Sequence, residues 1–128
     1  MRKENVMASK AEHQKMTSKD MQECARLCLD CAKTCEECFA ECVRMDMPGM
    51  ARCIQLCRDC ADVCFTNAQL LLRGGEFQIC DRCAEICEAC AKECDRMAAQ
   101  HKGEHAEMLR RCAEACRRCA ASCRKMAA

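Results

Sequence analysis

Nineteen cysteines, every one of them set three or four residues from the next within four stripes, constrain this 128-residue chain more than any other feature. They fall at Cys24, Cys28, Cys31, Cys35, Cys38 and Cys42; at Cys53, Cys57, Cys60 and Cys64; at Cys80, Cys83, Cys87, Cys90 and Cys94; and at Cys112, Cys116, Cys119 and Cys123. Steps of four and three alternate to an average of about 3.5, the seam repeat of packed helices, so each stripe predicts one face of one helix.

Breaks lie between the stripes. Met47, Pro48 and Gly49 separate the first from the second, with Pro48 expected at a helix start. Gly74 and Gly75 follow Arg73 as a C-terminal stop, and a weaker break lies at Lys102 and Gly103. Thr17 or Ser18 is expected to cap the first helix. Residues 1–16 are read as an N-terminal extension with room for a short helix, and 17–128 as the bundle. Four helices of roughly 22 to 28 residues joined by short loops predict an all-α fold, an antiparallel up-down four-helix bundle with a Cys-lined core. Ala25, Ala32, Phe39, Ile54, Leu56, Val63, Ile79 and Ile86 sit beside the stripes and are expected to close the helix interfaces.

Cysteine is often a plain small core residue, which would account for one or two of these. Nineteen on the seams, with no Trp, no Tyr and three Phe in the chain, would bury too little apolar volume for an ordinary core. A disulfide scaffold fits poorly as well, because the count is odd and the spacing is periodic. With 21 basic against 20 acidic residues there is no dominant field for nucleic acid. The charged N-terminus lacks a secretory apolar run, and no stretch approaches the roughly 20 apolar residues of a membrane span. The expectation is a soluble cytosolic protein, a pattern that a mature chain trimmed of a leader would share.

Side chains at i and i+4 of a helix have Cβ atoms roughly 5 to 6 Å apart, so two thiolates can reach one ion. Nine such C-x-x-x-C pairs are present: Cys24 with Cys28, Cys31 with Cys35, Cys38 with Cys42, Cys53 with Cys57, Cys60 with Cys64, Cys83 with Cys87, Cys90 with Cys94, Cys112 with Cys116, and Cys119 with Cys123. Cys80 is left over. Cu(I) is soft and content with two or three sulfur ligands, whereas zinc requires four in a tetrahedron and therefore an accurate meeting of facing helices. About one Cu(I) per thiolate leaves the interior near neutral. Filling the same thiolates with about five zinc ions leaves about nine negative charges uncompensated in the core. Iron-sulfur clusters fit less well, since their ligands usually come from wrapping loops.

In an antiparallel bundle the first and third loops share one end. Extending the Cys repeat by its own steps reaches Met45, Met50, Met97 and His101, and through Leu109 reaches His105, so these donors are expected to ring one mouth of the core. The opposite end, with Leu70, Leu71, Leu72, Phe77 and Ile79, is expected to be plugged with hydrocarbon, joined by Met16, Met21 and Met126.

The repeated C-x-x-x-C pairs on four helices, with Met and His at one end, resemble the bacterial four-helix-bundle copper storage proteins of the cytosolic type. The resemblance covers residues 18 to 126 approximately. It implies a tetramer of bundles, many Cu(I) ions held along each core by the nine pairs, and admission of ions at the Met and His end. No convincing catalytic constellation is present: there is neither a Gly-rich phosphate loop nor a Glu-x-x-His motif facing the seam. Three rivals to a Cu(I) store remain: a zinc or mixed soft-metal buffer, a thiol redox sensor, and a copper chaperone. The sensor would need exposed low-pKa cysteines, and the chaperone would need only one exposed site.

Overall fold

The structure is a computed structural model that describes residues 17–128. The expected extension over 1–16, and Met16 with it, lies outside the described residues. Four helices follow one another: α1 (Ser18–Met45), α2 (Ala51–Arg73), α3 (Cys80–Ala98) and α4 (Gly103–Ala127).

Their ends are set by local chemistry. Thr17 and Asp20 form a reciprocal cap for α1, Asp20 N donating to Thr17 Oγ1 at 3.1 Å and Thr17 N to Asp20 Oδ2 at 2.9 Å. Asp46, in the left-handed region at φ 49°, ends α1 with its N–H on Cys42 O. Pro48 does not start a helix. Gly49 turns the chain at φ 78°, so α2 starts only at Ala51 behind the N-cap Met50, and Pro48 lies in the turn. Gly74 stops α2 at φ 65°, its N–H reaching Leu70 O and Leu71 O. At 19 residues α3 is shorter than expected, because it starts behind the Gly74–Gly75 loop and winds off through a tight turn, Gln100 N bonding to Met97 O and His101 N to Ala98 O.

Each helix packs against two neighbours in the cyclic order α1, α2, α3, α4, and α1 closes back onto α4. Sulfur contacts give the direction. From Cys24 with Cys123, through Cys31 with Cys116, to Cys35 with Cys112, α1 ascends as α4 descends. The pairs Cys53 with Cys94, Cys60 with Cys87 and Cys64 with Cys83 run the same way between α2 and α3.

All nineteen cysteines are buried, and alanines such as Ala25, Ala32, Ala61, Ala84 and Ala113 fill the remaining helix contacts. The largest fully buried side chains, Met50, Leu71, Met97, Leu109 and Asn67, lie toward the helix ends, so the middle is a column of Cys and Ala. Small side chains let the backbones approach closely but bury little hydrocarbon each. Phe39, Ile54, Leu56, Val63 and Ile86 are partly buried against this column, as expected, while Ile79 is the half-buried N-cap of α3. Outside, ion pairs such as Arg117 with Asp95 at 2.6 Å and Arg124 with Glu88 at 2.8 Å tie α4 to α3, each worth about 0.2–1 kcal/mol at such exposed positions. Among the described residues no helix is long and apolar enough to cross a membrane.

Candidate metal centre

The 3–4 spacing turns each cysteine stripe to the axis, and the antiparallel order sets the stripes in register. The result is a continuous sulfur ladder. Cys31 Sγ lies 4.0 Å from Cys35, 3.9 Å from Cys60, 3.9 Å from Cys87 and 3.6 Å from Cys116, touching all three other helices. Toward one end the contacts pass through Cys57, Cys90, Cys94 and Cys112; toward the other they pass through Cys64, Cys83, Cys119 and Cys123.

Most of these contacts cross between helices. Of the nine expected intrahelical pairs, Cys31 with Cys35 and Cys60 with Cys64 have their sulfurs within 4.0 Å. Groups of four sulfurs lie mutually within 4.8 Å, for example Cys28, Cys83, Cys119 and Cys123, or Cys38, Cys57, Cys94 and Cys112. Facing helices therefore do meet accurately. Two sulfurs on one tetrahedral ion with bonds of about 2.3 Å would stand about 3.8 Å apart, so geometry alone accommodates three or four sulfurs per ion.

Two thiols in van der Waals contact in a dry core do not both ionise. Contacts led by Cys116 pull Cys31 down, whereas contacts led by Cys112 push Cys35 up. Likewise Cys60 is pulled down, chiefly by Cys116, and Cys64 pushed up, chiefly by Cys119. Much of the metal-free ladder thus holds its protons, which an incoming soft cation must displace.

At the mouth, Met50, Met97, Met108, Leu109 and His105 are buried together with the ladder, while His101 is half-buried. The His101 and His105 rings meet edge to face with centroids 4.8 Å apart. Among the described residues both ring nitrogens of the 5 % exposed His105 lack a hydrogen-bond partner, and Glu41 Oε2 lies 4.0 Å from Nδ1. Buried lone pairs without partners are costly unless a ligand takes them. Met45 departs from the expected ring. It is 40 % exposed at the last residue of α1, where the reversal at Asp46 ends the seam, and Met47 from the turn packs against the core in its place. A cleft of about 330 Å³ between α1 and α2 is lined by Cys42, Met47 and Met50 among others.

The opposite end matches expectation in Leu71 and Met126, which are buried, and in Met21, which packs against the core, and differs elsewhere. Leu72 and Phe77 are 58 % and 77 % exposed and form no plug. The fully buried Asn67 fills the space, with Nδ2 donating to Cys28 Sγ at 3.4 Å, Cys80 Sγ at 3.5 Å and Cys123 Sγ at 3.6 Å. Its Oδ1 accepts from Ile79 N at 3.4 Å and from Cys80 Sγ at 3.7 Å. The cysteine pattern gave no hint of this residue, although Asn67 stands three residues after Cys64, on the continuation of the α2 stripe.

A sequence profile of the copper storage protein family matches residues 12–128. The chain belongs to that family. Among solved structures of copper storage proteins, the Cu(I)-bound protein BsCsp3 is 38 % identical, with 85 % of this chain and 99 % of that one covered at a TM-score of 0.73. The metal-free copper storage protein 3 of Bacillus subtilis is 39 % identical over 82 % of this chain and 96 % of that one, at 0.68. A cytosolic copper storage protein from Streptomyces lividans, described with five coppers, is 35 % identical over 85 % and 92 %, at 0.72. Comparison with curated proteins gave no match.

Proposed function

We propose that this member of the copper storage family is a bulk cytosolic store of Cu(I), and not a catalyst, holding many ions on the thiolates of all nineteen cysteines. The observation that carries this reading is the unbroken sulfur ladder, with neighbouring Sγ atoms 3.5 to 4.0 Å apart from Cys24 and Cys123 at one end to Cys53 and Cys94 at the other. A chaperone needs one site and a sensor needs exposed thiols; here every thiol is buried among others. Each Cu(I) brings one positive charge for one displaced proton, so filling leaves the core near neutral. Met50, Met97, His101 and His105 are assigned to admit ions at the mouth, with Met45 outside the ring. The bundles are assigned to a tetramer, a reading that rests on the family resemblance and is checked by light scattering.

Anaerobic titration of the reduced protein with Cu(I), against a chromophoric competitor, tests the store. Uptake to roughly one ion per thiol is expected; saturation at one or two ions overturns it. The four-sulfur groups favour a second reading, a zinc buffer, because they fit tetrahedral ions. Zinc filling is expected to stop near five ions at most, and preference for zinc over Cu(I) would reverse the assignment.

A further inference from the structure

We infer that Arg96, held in place by Glu93, is a positioning residue for the Met97 thioether at the mouth. Arg96 Nε and Nη2 donate to the two carboxylate oxygens of Glu93 at 2.9 and 2.7 Å, and Nη2 also donates to Met97 Sδ at 3.4 Å. The surface pair of Arg26 with Glu23, also at i and i+3, keeps both partners more than half exposed. Glu93 is 5 % exposed instead. A carboxylate buried that deeply is costly unless it is fully answered, and Arg52 Nε adds a second cation from α2 at 3.8 Å. The acid is thus pinned where α2 begins and α3 ends, next in sequence to Cys94, with Arg52 next to Cys53. On the outer side the pair faces a groove of about 580 Å³ that Glu88 and Lys92 also line. No hydrocarbon wall is needed to hold the guanidinium there, because Glu93 holds it.

A thioether is uncharged and swings on soft torsions, so by itself it presents its sulfur in many directions. One N–H on one lone pair fixes the sulfur and leaves the other lone pair for a soft cation. Met97 is 1 % exposed, and its sulfur is anchored from the outside by this contact. At the same end Arg111 makes a like N–H contact to a thioether, Nη2 lying 3.4 Å from Met108 Sδ.

The inference rests on Met97 serving at the mouth, so the experiment separates the two. Initial rates of anaerobic Cu(I) uptake are measured for wild type, Arg96→Ala, Met97→Leu and the double variant, together with the 13C-methyl resonance of Met97 in metal-free protein. Met97→Leu and Arg96→Ala are each expected to slow uptake several-fold at unchanged final stoichiometry. The double variant should be no slower than Met97→Leu alone, because the arginine acts through the thioether. In Arg96→Ala the Met97 methyl should move toward its rotamer-averaged position. An Arg96→Ala rate equal to wild type while Met97→Leu is slow overturns the inference, as does a double variant slowed by the product of the two effects. If Met97→Leu leaves uptake unchanged, the role of Met97 at the mouth fails; the methyl resonance then decides the positioning, an unmoved signal overturning it. Arg96→Lys, which keeps the charge and loses the two-pronged pair, replaces Arg96→Ala with the same expectations if the latter loses helicity.

Discussion

The amide nitrogen of Asn67 lies 3.4 Å from Cys28 Sγ, joining α2 to α1 at the end of the core farthest from His101 and His105. The same side chain accepts the Ile79 N–H that starts α3, so one residue joins the α2–α3 loop to the sulfur ladder. Asn67→Leu leaves that backbone donor and the Cys80 thiol without their acceptor. A loss of about 1–3 kcal/mol in stability of the metal-free protein is expected. Urea unfolding in reducing buffer measures it, and an unchanged midpoint would show that the amide contributes nothing net.

Cys80 gives that end a pH dependence. Its contact with Cys123 lowers the pKa, but Cys24 and burial outweigh this and hold the thiol up at about 11, against an ordinary 9.0. The folded chain therefore keeps this proton where the unfolded chain has lost it. The resulting stabilisation is fully present below pH 9 and disappears as pH rises to about 11. The difference in Tm between wild type and Cys80→Ala, both metal-free and reduced, is expected to narrow across that window. A difference that widens would reverse the sign of the shift.

Four stripes at a seam repeat are legible as four helices because a period of 3.5 allows no other regular structure to place every thiol inside, and all nineteen are buried. Loop chemistry was readable where one residue decides it, as at Gly74, whose positive φ stops α2. Pro48 misled because Gly49 beside it controls the turn. Met45 misled because a stripe continues to face inward only while its helix does, and α1 ends there. Hydropathy places Leu72 and Phe77 in a plug, yet a helix terminus and loop leave them in solvent, and a polar Asn67 is buried at that end beside Leu71 and Met126. The cross-helix sulfur partners were not readable, because axial register between helices depends on loop geometry that a repeat does not encode.

Cys31 is the hub of the ladder, within 4.0 Å of four other sulfurs on four helices, Cys35 on its own included. Replacing Cys31 and Cys35 by Ala removes two thiolates from the middle of the column and leaves both ends intact. At about one ion per thiolate, capacity should fall by about two Cu(I), with helicity retained. Loss of half the capacity or more would mean that ions are held in a single cooperative array.

His101 and His105 offer the contrasting case, because they stand outside the ladder. Among the described residues the buried nitrogens of His105 have no hydrogen-bond partner, and the His101 ring meets its ring in a T-shaped contact. Imidazoles at this position can receive an ion and pass it inward, but they add little to a capacity set by nineteen thiolates. Replacing both by Ala should slow Cu(I) uptake several-fold and leave the final stoichiometry nearly unchanged. Stopped-flow uptake followed by equilibrium titration on the same sample separates rate from capacity. Unchanged kinetics would show that neither imidazole lies on the path by which ions enter.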